Sequence, residues 1–86
     1  MHESWRHDIE SVAFRPERHR GLCVVHRRAF RTLLGHAPSE GDCLAFFAKH
    51  PAAFAAAAAA KIAGRNLAPD ANFHLTSRDL LRALVT

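Results

Sequence analysis

The chain has 86 residues, a formal net charge of +4 at pH 7 and 49% apolar residues. That length holds one domain and excludes a multidomain enzyme. A domain of this size buries only ~60–65% of the surface its unfolded chain exposes, which leaves little room for a large cofactor cavity.

The first residues, Met1 to Arg6, mix charges of both signs around Trp5 and lack the apolar core of a secretory leader. Residues 1–8 are therefore expected to be a flexible segment, and residues 9–86 a single domain. Val12 and Phe14 alternate with small or polar neighbours and predict a strand over Ser11 to Arg15. A second strand is expected over Arg20 to Val25, with Leu22 and Val24 facing inward. The polar link Pro16 to Gly21 has the length of a hairpin connection, so antiparallel pairing with an exposed tip follows.

From His26 the apolar period changes. Ala29, Phe30, Leu33 and Leu34 recur at helical spacing, Arg27, Arg28 and Arg31 fall on the other side, and Gly35 supplies a stop. Ser39 is placed to cap a second helix whose first turn carries Glu40 and Asp42, where carboxylates complement the helix dipole. The stripe Leu44, Phe47, Pro51, Phe54, Ala58 and Ile62 continues at a 3.6-residue period. Proline inside a helix costs ~3 kcal/mol and at its first position costs little, so the segment splits or kinks at His50. The second piece, Ala52 to Ala63, is almost all alanine and should end at Gly64.

After the turn residues Pro69 to Asn72, Phe73-His-Leu75 predicts a third strand with Phe73 and Leu75 inward and His74 outward. Thr76 or Ser77 then caps a last helix, with Asp79 completing a capping box and Leu80, Leu81, Leu84 and Val85 forming its apolar face. The expected fold is an α+β two-layer sandwich in the order β-β-α-α-α-β-α, a three-stranded antiparallel sheet against helices. The alanine-rich composition implies few large core side chains.

Two cysteines, Cys23 and Cys43, are too few for a disulfide framework and are expected to be buried free thiols in a reducing compartment. No run of about 18–20 large apolar residues is present, so no membrane span is expected and the cytoplasm is the default location. Cys23-Val-Val-His26 has the spacing of half a zinc site, with His36, Cys43 and His50 as conceivable partners, but no second paired motif accompanies it. No phosphate loop, nucleophile elbow or paired-carboxylate arrangement occurs, so no catalytic residue, cofactor or metal is expected and the chain is read as non-enzymatic. A helix-turn-helix around Gly35 would present Glu40 and Asp42 to phosphates, which argues against sequence-specific DNA binding by that route.

The charge excess comes from arginine; lysine occurs only at positions 49 and 61. Arg18, Arg20, Arg27, Arg28 and Arg31 would form a nucleic-acid-binding patch if the hairpin folded beside the first helix. A solvated basic face accounts for the same residues more simply, because aromatic side chains are not interleaved with them. Association through protein contacts, as a homodimer or with a partner, is the leading expectation: a thin core and a short sheet leave edges and apolar helix surface to cover.

Val25-His-Arg-Arg-Ala-Phe-Arg-Thr-Leu-Leu-Gly35, the acidic helix start, Phe46-Phe-Ala-Lys-His50, Ala60-Lys61 and Leu75-Thr-Ser-Arg-Asp-Leu80 together resemble the bacterial domain-of-unknown-function 1488 family. The resemblance runs over most of Val12 to Leu84. This chain departs from the family pattern at His26, where the family has serine, at Ile62, where it has tyrosine, and at Pro51. The resemblance implies a small α+β domain of the bacterial cytoplasm and carries over no catalytic residue.

Overall fold

A computed structural model describes residues 2–85. The chain forms β1 (Glu3–Arg6), a 3-10 turn (His7–Ile9), β2 (Ser11–Phe14), β3 (Cys23–His26), α1 (Arg27–Leu34), α2 (Glu40–Lys49), α3 (Pro51–Arg65), β4 (Phe73–His74) and α4 (Ser77–Leu84). One mixed sheet runs β1-β2-β3-β4, antiparallel at the first two junctions and parallel at the third. Helices pack against the sheet, and the shortest dimension of 18 Å is that of two layers.

The expected α+β sandwich is present, with three differences. The sheet has a fourth strand, β1, inside the stretch expected to be flexible. Trp5 is the only large apolar side chain in β1, too little for an alternating pattern, yet it packs against the core while Ser4 and Arg6 face outward. The pairing of β4 is parallel because the three intervening helices return the chain to the end of the sheet from which β3 starts. Finally, β3 is in the opposite phase: Cys23 and Val25 are buried, and Leu22 and Val24 only partly so. Leu22 to Val25 is apolar at every position, so alternation leaves the phase open. The register Phe14↔Cys23 and Val12↔Val25 fixes it by aligning these residues with the two β2 side chains that join the core cluster.

Phenylalanines form the centre of the core. Phe54 is fully buried, with ring centroids 4.7 Å from Phe47, 6.0 Å from Phe30, 6.1 Å from Phe46 and 6.3 Å from Phe14. The bend at Pro51 makes this possible. Proline has no N–H to continue α2, so α3 begins with Pro51 at its first position and leaves α2 at 86°. That angle breaks the apolar stripe into two faces and turns Phe47 and Phe54 toward each other. Helix α3 runs beyond the expected stop: Gly64 lies within it, and Asn66, at φ 51°, takes the left-handed capping position.

The other helix ends follow the sequence closely. Gly35 closes α1 at φ 78°. Ser39 and Asp42 form a reciprocal capping box on α2, as Thr76 and Asp79 do on α4. His26 is the N-cap of α1, its Nδ1 accepting the Arg28 N–H at 3.0 Å.

The tip of the hairpin between β2 and β3 is exposed, as expected, but its flanks are not. Glu17 and Arg18 face solvent, but Pro16 is buried, and His19 and Gly21 are buried against the loop before β4. His19 Nε2 donates to the Ala71 carbonyl at 2.7 Å, Arg20 N–H to the Pro69 carbonyl at 2.8 Å, and Leu22 N–H to Asn72 Oδ1 at 2.8 Å. Gly21 allows the approach, since a Cβ there would lie 2.1 Å from the Ala71 oxygen.

Candidate functional site

The five arginines of the expected patch fall into two groups at opposite ends of β3. Arg18 and Arg20 lie in the hairpin at the Cys23 end of β3, whereas Arg27, Arg28 and Arg31 follow its His26 end. The length of β3 separates the groups, roughly 10 Å at ~3.3 Å per residue. The hairpin is held to the loop before β4, not to α1.

Arg27 is committed to local structure. Its Nη1 donates to the Pro38 carbonyl at 3.2 Å, and its guanidinium lies 5.1 Å from the centre of the Trp5 ring. Its Nε is buried 3.5 Å from Glu10 Oε1, close enough for attraction but without hydrogen-bond geometry. Arg27 therefore ties β1, the turn before β2 and the approach to α2 to the start of α1. Arg28 and Arg31 are exposed on α1.

Both cysteines are free and buried, Cys23 in the sheet and Cys43 in α2. Burial pushes the Cys23 thiol up to about 12, against the opposing influence of Lys61, and burial also raises Cys43. A thiol so shifted is protonated at neutral pH and is neither a nucleophile nor a ready metal ligand. Among the described residues, no three histidine, cysteine or acidic side chains gather where they could hold a metal ion.

Lys61 and Asp79 form a largely buried ion pair joining α3 to α4, Nζ to Oδ2 at 2.8 Å. Asp79 Oδ2 also accepts the N–H of Thr76 at 2.8 Å and its hydroxyl at 3.0 Å. Burial works against the charged carboxylate, but Lys61 and Thr76 outweigh it and hold Asp79 below the usual carboxylate range. The pair lies on an open groove of ≈ 480 Å³ between α3 and α4. It satisfies a helix start and a lysine; its carboxylate is held charged rather than poised to take a proton.

The most distinctive surface is the outer side of α3. No residue from Pro51 to Ala60 has a polar side chain, and only Phe54, Ala57 and Ala58 of that run are buried. Ala52, Ala56, Ala59 and Ala63 share the solvent-facing side, bordered by the groove toward α4 and by a second groove toward Pro16 and Arg18. The helical wheel of Pro51–Arg65 carries this ridge in the sequence, but reading it requires knowing which side Phe54 buries. Among the described residues no single helix is long and apolar enough to cross a membrane; α2 and α3 reach that composition only as a pair bent by 86°.

Compared with protein-family models, with curated proteins and with solved structures, the chain matches none of them. The family resemblance expected from its motifs therefore has no support from them.

Proposed function

We propose that this chain is a small non-enzymatic domain of the cytoplasm that works through protein contacts, as a homodimer or on a protein partner. The observation that carries the proposal is the exposed alanine ridge of α3. Water gains nothing from an alanine face, and side chains without rotamer freedom lose no entropy when a second helix covers them. Their small size also lets two helix backbones come close. The two free, buried thiols suit a reducing compartment.

Sedimentation equilibrium from micromolar to several hundred micromolar tests the homodimer directly. The expected outcome is a concentration-dependent dimer that Ala56→Glu returns to monomer without changing the circular dichroism spectrum. A wild-type monomer across that range removes the homodimer. The partner form then stands or falls on whether Ala56→Glu releases a partner captured by crosslinking.

Accessory nucleic-acid binding is the second reading, weakened by the separation of Arg18 and Arg20 from α1 and by the contacts that occupy Arg27. It requires binding to DNA or RNA that falls steeply with salt and falls further in an Arg28→Ala, Arg31→Ala variant.

A further inference from the structure

We propose that the cleft between the starts of α1 and α4, lined by His26, Arg28, Thr32, His74, Thr76 and Ser77, binds a phosphate group. The cleft has a volume of ≈ 450 Å³, and the apolar residues Ala29 and Leu75 complete its lining. Every ionisable side chain lining it is a base, and no carboxylate does so. Asp79, the acid of the α4 first turn, is bound to Thr76 and Lys61 and lines the groove on the α3 side instead.

The sheet register sets the two histidines on one side. Val24 is aligned with His74 across the parallel junction, and His26 lies two residues beyond Val24 on the same strand face, away from the core. Capping selects the tautomer of His26. Because its Nδ1 accepts the Arg28 N–H, the neutral ring carries its proton on Nε2 and offers a donor. Arg28 is exposed, and among the described residues no carboxylate pairs with its guanidinium, which leaves the planar fork able to take two oxygens of one anion. The Ser77 hydroxyl adds a further donor, while the Thr32 hydroxyl, which donates to the Arg28 carbonyl at 3.5 Å, only shapes the wall. A tetrahedral group with several acceptor oxygens and negative charge fits this lining; a cation or an apolar molecule does not.

The site is independent of the protein-contact proposal, since it lies on α1, β4 and α4 and not on the outer face of α3, so a strictly monomeric protein would leave it intact. It is tested on the full-length 15N-labelled protein by titrating inorganic phosphate against chloride at constant ionic strength and following amide resonances. The expected result is saturable shifts at Arg28, His74 and Ser77, with affinity about tenfold weaker in Arg28→Gln and unchanged in Arg31→Gln. Both positions are exposed on the same helix, and unchanged resonances elsewhere report an intact fold. Two further titrations distinguish the source of the group: a nucleoside monophosphate, and a single-stranded oligonucleotide at equal phosphate concentration. Tighter saturable binding of the monophosphate assigns a free phosphomonoester ligand, and tighter binding of the oligonucleotide assigns a phosphodiester backbone. Linear shifts that never saturate, or equal weakening by Arg28→Gln and Arg31→Gln, would show only general charge attraction and overturn the proposal.

Discussion

Phe54 illustrates what a single residue contributes to this fold. It is fully buried and lies within ring-contact distance of four other phenylalanines drawn from β2, α1 and α2. Truncation removes its own transfer free energy and leaves a cavity that rigid aromatic neighbours fill poorly, so Phe54→Ala should cost about 4 kcal/mol in urea unfolding. A loss below about 1 kcal/mol would mean that the cluster collapses around the gap. Two glycines give a sharper contrast, because the same substitution should change sign between them. A methyl at Gly21 meets the Ala71 carbonyl, a backbone atom that cannot swing away, and Gly21→Ala should destabilise. Gly64 sits inside α3 with open space where the methyl would go, and Gly64→Ala should stabilise by about 0.5–1 kcal/mol. Thermal melts of the two variants check both; a common sign would count against the description of the hairpin–loop contact. Position 64 also shows where sequence reading falls short. Glycine next to a helix end signals a stop, but here the left-handed residue is Asn66, and both residues are plausible caps until the backbone is seen.

At the scale of elements the helices were the legible part. Ser39, Thr76, Gly35 and Pro51 all act where their chemistry places them, because caps and breaks depend on residues within one turn. Asp79 does more than its motif implies: besides closing the α4 cap it holds Lys61 of α3, a partner 18 positions away that no local pattern reveals. The charged pair gives the molecule an acid-sensitive joint. Since the folded state holds Asp79 below its ordinary range of about 3.9, the unfolded chain binds the proton first as pH falls. Its stabilisation is complete above that range and is lost as the pH drops through the lowered folded value. Asp79→Asn should therefore destabilise by about 2 kcal/mol at pH 7, and the gap from wild type should shrink below pH 4. Denaturant midpoints measured from pH 7 to pH 2 provide the check. A gap that stays constant over the whole range would assign the contribution to shape and hydrogen bonding, not to charge. Asp8 and Asp42, also held low by Arg6 and by the Ser39 cap respectively, are common to both proteins and cancel in the difference.

The sheet, a property of the whole molecule, is less legible in the sequence, and the reasons are physical. Strand phase is recorded in sequence only when polar and apolar residues alternate, which Val12 and Phe14 do against Ser11 and Arg15 and which the uniformly apolar Leu22–Val25 does not. Strand direction depends on where the preceding helices deliver the chain. The arginines follow the same logic: Arg18 and Arg20 precede β3 and Arg27, Arg28 and Arg31 follow it, so the length of one strand lies between charges that are close in sequence. The donor-lined cleft lies at the opposite limit, since His26 and His74 are 48 positions apart and become neighbours only through the parallel junction of β3 and β4. Strand β1 is the clearest case of structure decided by the rest of the molecule, and Trp5 makes it measurable. It is the single tryptophan of the chain; its ring packs on the core and lies beside the Arg27 guanidinium. If β1 is an integral strand, tryptophan emission reports unfolding of the whole domain, and its denaturant transition should coincide with that of the helices followed by far-ultraviolet circular dichroism. Arg27→Ala, which removes the guanidinium from the ring and the bond to Pro38, should loosen the strand first and move the emission transition to lower denaturant than the circular dichroism transition. An emission spectrum of exposed tryptophan in the native protein, unchanged through unfolding, would instead return residues 3–6 to the flexible segment that their composition suggests.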